Sequence, residues 1–397
     1  MTKSLQSTSI IPDFVRSFYD LVRFSRPSQL SHLVQYALGL LAVIHGTQRR
    51  IGKLFRISAS TFSRFLNSRL FSTMDLVHSR ADHIRSFLSA HSLRPRYLVI
   101  DETVVRKYGH KVIENCGNFF SSLAAHPILS VSFLTAILVV RRCLVFPLLT
   151  LQRSSRPDSL TPLSLRLVDE VPRYWDHLIL LVDGALLSGA LVQRAQARGW
   201  VVIARLRATP RHVLLLPHPN APVDMGSDLL ASELVKRFPL GSRLSVRIPS
   251  FGCEGSLLIG PLSDKKPGRR LLFCSHPSMT AKQIMHHYRK RELVEDFFKA
   301  AKHELHFGDV RAYSTRAMER HQEIVNALYT AWACSQSLLP HARRTQLRDF
   351  VSITGQRILS LLHSLLAESA FTDQEKRFFE GLLCSRCSRA PAGRVYA

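Results

Sequence analysis

Leu178-Ile179-Leu180-Leu181-Val182-Asp183-Gly184 is the stretch that decides the fold class. A continuous apolar run closed by an aspartate and a glycine reads as a buried strand that runs into a turn. Ala185 to Arg198 then carries a helical pattern, and Trp200 to Leu206 is a second apolar run. Strand, helix and strand in succession mark an α/β chain. Upstream, Tyr97-Leu98-Val99-Ile100-Asp101 repeats the device, an apolar run that ends in a lone aspartate. Between the two, residues 115–140 hold no Asp, Glu, Lys or Arg, and Arg141-Arg142 follows them. That length could span a bilayer. However, Asn115, Asn118, Ser121, Ser122, His126, Ser130, Ser132 and Thr135 make insertion costly. Two buried strands, roughly 128–140 and 143–151, explain the stretch better, so no membrane association is expected.

Working outward, residues 207–275 are rich in Pro, Gly and Ser with alternating patches such as Leu244-Ser245-Val246-Arg247-Ile248, which reads as a β-rich insertion. A long helix is expected from about Thr280 to His306, and further helices over 315–367. Thr372 to Glu375 resembles a capping box, and the tail Ser388 to Ala397 reads as disordered. On the other side, residues 13–92 read as helices, with a stripe of Phe14, Phe18, Leu21, Val22 and Phe24 continued by Leu33 to Ile44. Three regions result: 1–92 helical, 93–335 α/β with the insertion, and 336–397 C-terminal helices and tail.

Within the first region, residues 49–67 predict a short basic helix that reaches Phe55, a tight turn at Arg56-Ile57, and a second helix capped by Ser58. This pattern suits a helix-turn-helix whose second helix enters a major groove. The candidate DNA-recognition residues are Arg49, Arg50, Ser60, Thr61, Ser63, Arg64 and Asn67. The alternative is an ordinary helical hairpin.

Charge favours the first reading. In 397 residues, 54 Lys and Arg face 29 Asp and Glu, for a net charge of +25 spread along the whole chain. Such self-repulsion calls for a polyanion, and nucleic acid is the first candidate. A hydrophobic fraction of 46% excludes a mainly disordered chain. Seven scattered cysteines do not form a disulfide framework, and Cys384-Ser385-Arg386-Cys387 has no second pair to complete a zinc site. Met1 to Ile10 lacks the apolar core of a signal peptide, so a reducing cytoplasm is expected.

The chemistry centres on the long helix. Tyr288, Arg291, Glu295 and Lys302 fall at about 0°, 300°, 340° and 320° around an unbroken helix, one stripe roughly 60° wide. A carboxylate between two cations and a phenol suits a metal ion and a phosphate. Asp101, Asp183 and Glu295 would then converge as oxygen ligands, which select Mg²⁺ or Mn²⁺, and two such ions serve phosphoryl transfer. Arg291 and Lys302 would grip phosphate oxygens, and Tyr288 would sit beside them. Each residue has a plainer reading. Either aspartate can cap a turn. Glu295 can pair with Arg291 or Lys299 on a solvated face. Glu102, Glu292 and Asp296 are rival carboxylates.

The spacing Tyr288-Arg291-Glu295-Lys302, with Asp101 and Asp183 upstream, resembles the DDE transposases of bacterial insertion sequences, in the branch with a Tyr-Arg-Glu-Lys signature. The resemblance covers about residues 40–335. It implies a ribonuclease-H-like catalytic core with a β-rich insertion between the second aspartate and the glutamate, preceded by a helical DNA-binding domain and followed by C-terminal helices. It implies Asp101, Asp183 and Glu295 as catalytic ligands of two Mg²⁺ ions, and Tyr288, Arg291 and Lys302 as contacts to DNA phosphates near the cut. It further implies double-stranded DNA as partner, both terminal inverted repeats and target, with a homodimer in the synaptic complex and a nucleoid-associated place in a bacterial cytoplasm. His321 and Asn326 resemble the continuation of the signature. Glu292 stands where such proteins often carry Trp, and Leu305-His306-Phe307-Gly308 replaces the usual Leu-Gly-Leu. No Trp lies between Val201 and Arg291, which leaves Phe251 as the aromatic candidate to hold a flipped base.

Overall fold

The computed structural model describes residues 27–43, 45–70, 72–107, 113–121, 124–140, 144–156, 160–173, 175–207, 211–216, 228–261, 268–337, 346–352 and 354–356, together with Phe18 and Leu21. The Thr372 capping box, the Cys384/Cys387 pair, the C-terminal tail and most of the stripe at residues 14–24 lie outside the described residues. Phe18 and Leu21 of that stripe are buried, as expected.

Helices α1 (Pro27–Ala42), α2 (Gln48–Phe55), α3 (Ala59–Asn67) and α4 (Thr73–Ala90) come first. Thr47 caps α2 by accepting from the Arg50 amide, and Ser58 caps α3 by accepting from the Thr61 amide. Between them Arg56 takes a left-handed conformation at φ 56°. The turn closes on Gly52, where an added Cβ would meet the Ile57 carbonyl at 2.4 Å. The sequence therefore gives this helical pair the turn that the spacing predicts.

Among the described residues, eleven strands form one sheet. β1 (Pro95–Arg106), β2 (Gly117–Ser121), β3 (His126–Val140) and β4 (Val145–Gln152) precede α5 (Leu160–Glu170). β5 (Ile179–Val182), α6 (Gly189–Gln196) and β6 (Val201–Leu206) follow. The centre of the sheet runs β4, β3, β1, β5, β6, with β3 antiparallel to both β4 and β1, β5 parallel to β1, and β6 parallel to β5. The interior strands are buried on both faces, which accounts for their unbroken apolar runs.

Two expectations need correction here. β1 does not end at Asp101 but continues to Arg106, because β3 is long enough to pair with it throughout. The helix expected from Ala185 begins at Gly189, after a turn in which the Leu186 amide donates to the Asp183 carbonyl and before which Ser188 supplies the cap. The insertion is β-rich as expected and also carries one helix. It holds β7 (His212–Leu215), β8 (Asp228–Leu230), α7 (Ala231–Arg237), β9 (Arg243–Ile248), β10 (Cys253–Pro261) and β11 (Arg269–Cys274). Its strands extend the main sheet, since β11 pairs antiparallel with β6.

Helices α8 (Ala281–Tyr288), α9 (Glu292–Glu304) and α10 (Thr315–Ser337) close the described fold. α10 is buried along its length against β4, α3 and α4. There the fully buried Arg80 of α4 pairs with the fully buried Glu323 of α10 and donates to the Pro147 carbonyl at 2.9 Å and the Leu148 carbonyl at 2.5 Å. Glu323 also accepts from the Thr150 amide at 2.6 Å. Every edge of this charge pair is hydrogen-bonded, which is the condition for burying one. The N-terminal helices thus share one hydrophobic core with the sheet. Among the described residues no helix is long and apolar enough to cross a membrane.

Candidate active site

β1 and β5 pair in parallel from Tyr97 opposite Ile179 to Ile100 opposite Val182. The next pair in that register is Asp101 beside Asp183, across one strand spacing of about 4.8 Å. β5 ends there, so both aspartates stand where β1 loses a neighbour. Asp101 and Glu102 point to opposite faces, as strand alternation requires. Glu102 accepts from Ser132 Oγ at 2.5 Å and from Arg153 Nη1 at 2.8 Å, which commits that rival carboxylate to the other face. Asp296, another rival, is exposed and lies 3.7 Å from Lys299.

The expected single helix over Thr280–His306 is interrupted. α8 and α9 are joined by a 3₁₀ turn at Arg289–Arg291. That turn advances about 120° per residue instead of 100°, so its three residues complete about one revolution and Arg291 points the same way as Tyr288. Tyr288 is buried, within electrostatic reach of Arg291 and Asp183. Arg291, Glu295 and Lys302 continue the stripe. Arg291 Nη1 donates to Asp101 Oδ2 at 3.0 Å, and Nη2 donates to Glu295 Oε1 at 3.4 Å. Lys302 Nζ donates to the Val104 carbonyl at 3.0 Å. The spacing is consistent. Seven residues of helix from Glu295 to Lys302 rise about 10.5 Å, and three residues of strand from Asp101 to Val104 cover about 10 Å. α9 lies along β1.

The structure thus brings Glu295 to Asp101 through one guanidinium. Asp101 is 15% exposed and Glu295 53%. Burial pushes the Asp101 carboxyl up to about 6; Arg291 and the Glu102 amide oppose this, while Asp183 and Glu295 add to it. Burial works against the Arg291 charge, but Asp101, Tyr288, Asp183 and Glu295 outweigh it and raise its proton affinity. Both shifts report the same attraction, and for Asp101 desolvation is the larger effect. Lys302 is pulled down by burial.

Two arginines near the site escaped the sequence reading. The Arg270 guanidinium of β11 lies 5.2 Å from the Tyr288 ring centre, and Arg205 of β6 lies within electrostatic reach of its hydroxyl. Burial raises the Tyr288 phenol, Asp183 adds to this, and Arg291, Arg270 and Arg205 oppose it. The phenol keeps its proton near Asp183. The signal was present as cations that alternate with apolar residues in Ala204-Arg205-Leu206-Arg207 and Arg270-Leu271.

The donors at this site are hard oxygens, and that donor chemistry suits a divalent cation of the Mg²⁺ kind. Among the described residues, however, no three His, Cys, Asp or Glu side chains converge closely enough to form a cage. The arrangement is a carboxylate pair sharing the Arg291 guanidinium, with Asp183 alongside.

At the helical pair, Arg49, Arg50, Ser60, Ser63, Arg64 and Asn67 are exposed and Thr61 is half-buried. Arg64 reaches Thr61 Oγ1 at 3.4 Å. Asn67 is engaged within the fold, donating to the Ser63 carbonyl at 2.9 Å and accepting from Ser314 Oγ. Arg320 Nη1 donates to the Phe65 and Leu66 carbonyls at 2.8 and 3.0 Å and so closes the end of α3. His321 and Asn326 are fully buried structural groups that bond Tyr36 and Thr150. Phe251 packs in the core against Phe273, with ring centres 5.2 Å apart, which removes it as a platform for a flipped base.

The sequence matches no protein family model and no curated protein. The fold does have a counterpart. The chain is similar to the cryo-EM structure of the piggyBac transposase synaptic complex with hairpin DNA, with a TM-score of 0.53, 11% identity, and coverage of 98% of this chain and 84% of that one. At this identity the likeness is one of fold, a mixed α/β architecture around a large sheet.

Proposed function

We propose that this chain is a transposase that cleaves DNA at the ends of a mobile element and transfers the freed strand into target DNA. The observation that carries the reading is the in-register pair Asp101 and Asp183 on adjacent parallel strands, with Arg291 linking Asp101 to Glu295 across from α9. The strand order β4, β3, β1, β5, β6 with its two antiparallel and two parallel joins supports a ribonuclease-H-like core. The shared fold with a transposase supports the function class, and the +25 charge supports a nucleic-acid substrate.

In this reading Asp101, Asp183 and Glu295 would hold divalent metal, and that metal would supply activation of a nucleophilic oxygen and stabilisation of the leaving one. Arg291 leaves the two carboxylates and turns its planar fork to a phosphate of the reacting strand. Tyr288, protonated and flanked by Arg270, donates a hydrogen bond at the same place. Lys302 orients the strand farther along β1. Joining two element ends requires at least two copies of the chain. The α2–α3 pair reads the terminal repeat with Ser60, Thr61, Ser63 and Arg64.

The test is cleavage of a duplex that carries an element end, with Mg²⁺, by the parent and by Glu295→Gln. The variant keeps the shape and loses an anionic oxygen. Loss of nicking with retained binding is expected. A fully active variant would move the site elsewhere, and nicking without strand joining would make the chain a nuclease.

A further inference from the structure

A cavity of about 580 Å³ lies between the start of α2 and the loop that precedes α10. Arg49, Arg50 and Lys53 line it from one side and Arg311 from the other. These parts are far apart in sequence, and they are stitched together by Asp309. Its carboxylate accepts from His306 Nδ1 at 3.0 Å and from the Gly46 amide at 3.3 Å, with His45 at 3.8 Å. Gln48 Nε2 adds a bond to the Arg311 carbonyl at 3.3 Å. Burial alone would raise the Asp309 carboxyl; the His306 and Gly46 hydrogen bonds and nearby His45 overcome it and hold it below the usual range. These three contacts all meet Oδ2 of Asp309. Arg49, Arg50 and Arg311 share the cavity with that one carboxylate.

Three guanidinium groups brought around one polar space from two distant segments repel one another, and an anion between them relieves this. The scaffold fixes where that anion would sit. Lys107, just past the end of β1, donates to the Gly308 and Val310 carbonyls at 2.9 and 2.8 Å, which anchors the Arg311 loop to the far end of the strand that carries Asp101. Six residues of extended chain from Asp101 to Lys107 span about 20 Å. At 3.4 Å per step of duplex, that is about six base pairs.

We infer that this cavity clamps backbone phosphates of duplex DNA, about six or more base pairs from the strand-cleavage position, so that Arg49 and Arg50 bind phosphate rather than read bases. The inference rests on the function proposed above. Its test is binding of the full chain to a labelled duplex that spans both positions, by fluorescence anisotropy over about 50–200 mM salt. Arg49→Ala and Arg311→Ala, both at exposed positions, should each lower the slope of log K against log[salt] by about 0.9. Element-end and scrambled duplexes should weaken alike. A methylphosphonate placed about six base pairs from the cut should weaken the parent and leave Arg311→Ala unaffected.

Unchanged slopes in both variants, beside normal parent binding, would overturn the clamp and leave the transposase reading standing. Losses confined to element-end duplex would make these arginines base readers and equally overturn it. Competition by inorganic phosphate at constant ionic strength would identify a small-anion site instead. Failure of the parent to bind any duplex would overturn the functional reading itself.

Discussion

Asp101→Asn exposes the electrostatic state of the site without any substrate. In the folded chain burial raises the Asp101 carboxyl from 3.8 to about 6, and Arg291 opposes this only in part. The folded state therefore holds this proton more tightly than the unfolded state does. The stability it confers is complete below pH 3.8 and is lost as pH rises through about 6. Two pKa units at about 1.36 kcal/mol each put the penalty of the ionised carboxylate near 3 kcal/mol at pH 7.5. At 15% exposure, solvent screening reduces this little. Asn removes the charge and keeps the shape. In EDTA the variant should gain up to about 3 kcal/mol in chemical denaturation at pH 7.5. The gain should shrink on acidification and become small near pH 4. A buried ion pair that stabilises the fold predicts the opposite, a loss of about 3–5 kcal/mol at neutral pH from a stranded guanidinium. A variant less stable than the parent at pH 7.5 would refute the reasoning. Added Mg²⁺ should raise the parent's midpoint by mass action and leave that of Asp101→Asn where it is.

Other outcomes follow from the same geometry. Arg64→Ala should reduce discrimination of element ends over scrambled duplex by about 1–3 kcal/mol in competition binding; equal losses on both would move end recognition away from α3. Lys302→Ala should slow cleavage in a single-turnover time course with little change in end preference, because Lys302 lies on the Glu295 stripe beside β1. Arg80→Ala leaves Glu323 buried without its partner and should cost about 3–5 kcal/mol of stability, read as a lowered denaturation midpoint. Arg80→Met, which fills the volume but leaves the same charge stranded, should rescue little of that loss.

The strand-borne parts of the site were legible because buried strands advertise themselves as unbroken apolar runs. Asp101 and Asp183 close two such runs, and their shared register followed once the strands paired. The pair of helices and the turn between them at residues 48–67 were equally readable, since Thr47, Gly52 and Ser58 each carry a local signal. What was hidden depended on contacts between distant segments. Helical periodicity carries no mark of the tightened turn at Arg289–Arg291, nor of the burial of Tyr288. The arginines at 205 and 270 lie 65 residues apart and meet only because β11 pairs with β6. For the same reason, nothing local in Arg311 or Asp309 linked them to Arg49.

The joining of β11 to β6 has a consequence for how such a chain can vary. A separately folded module can be lost with little harm to its host. Here, removal of residues 207–275 would leave Val201–Leu206 as a bare edge, with its unpaired amides and carbonyls flanked by apolar side chains. Such an edge recruits other chains and aggregates. The insertion therefore serves as a stopper for the main sheet, whatever else it does. A shortened homologue would need a charged or proline-blocked sixth strand to remain monodisperse.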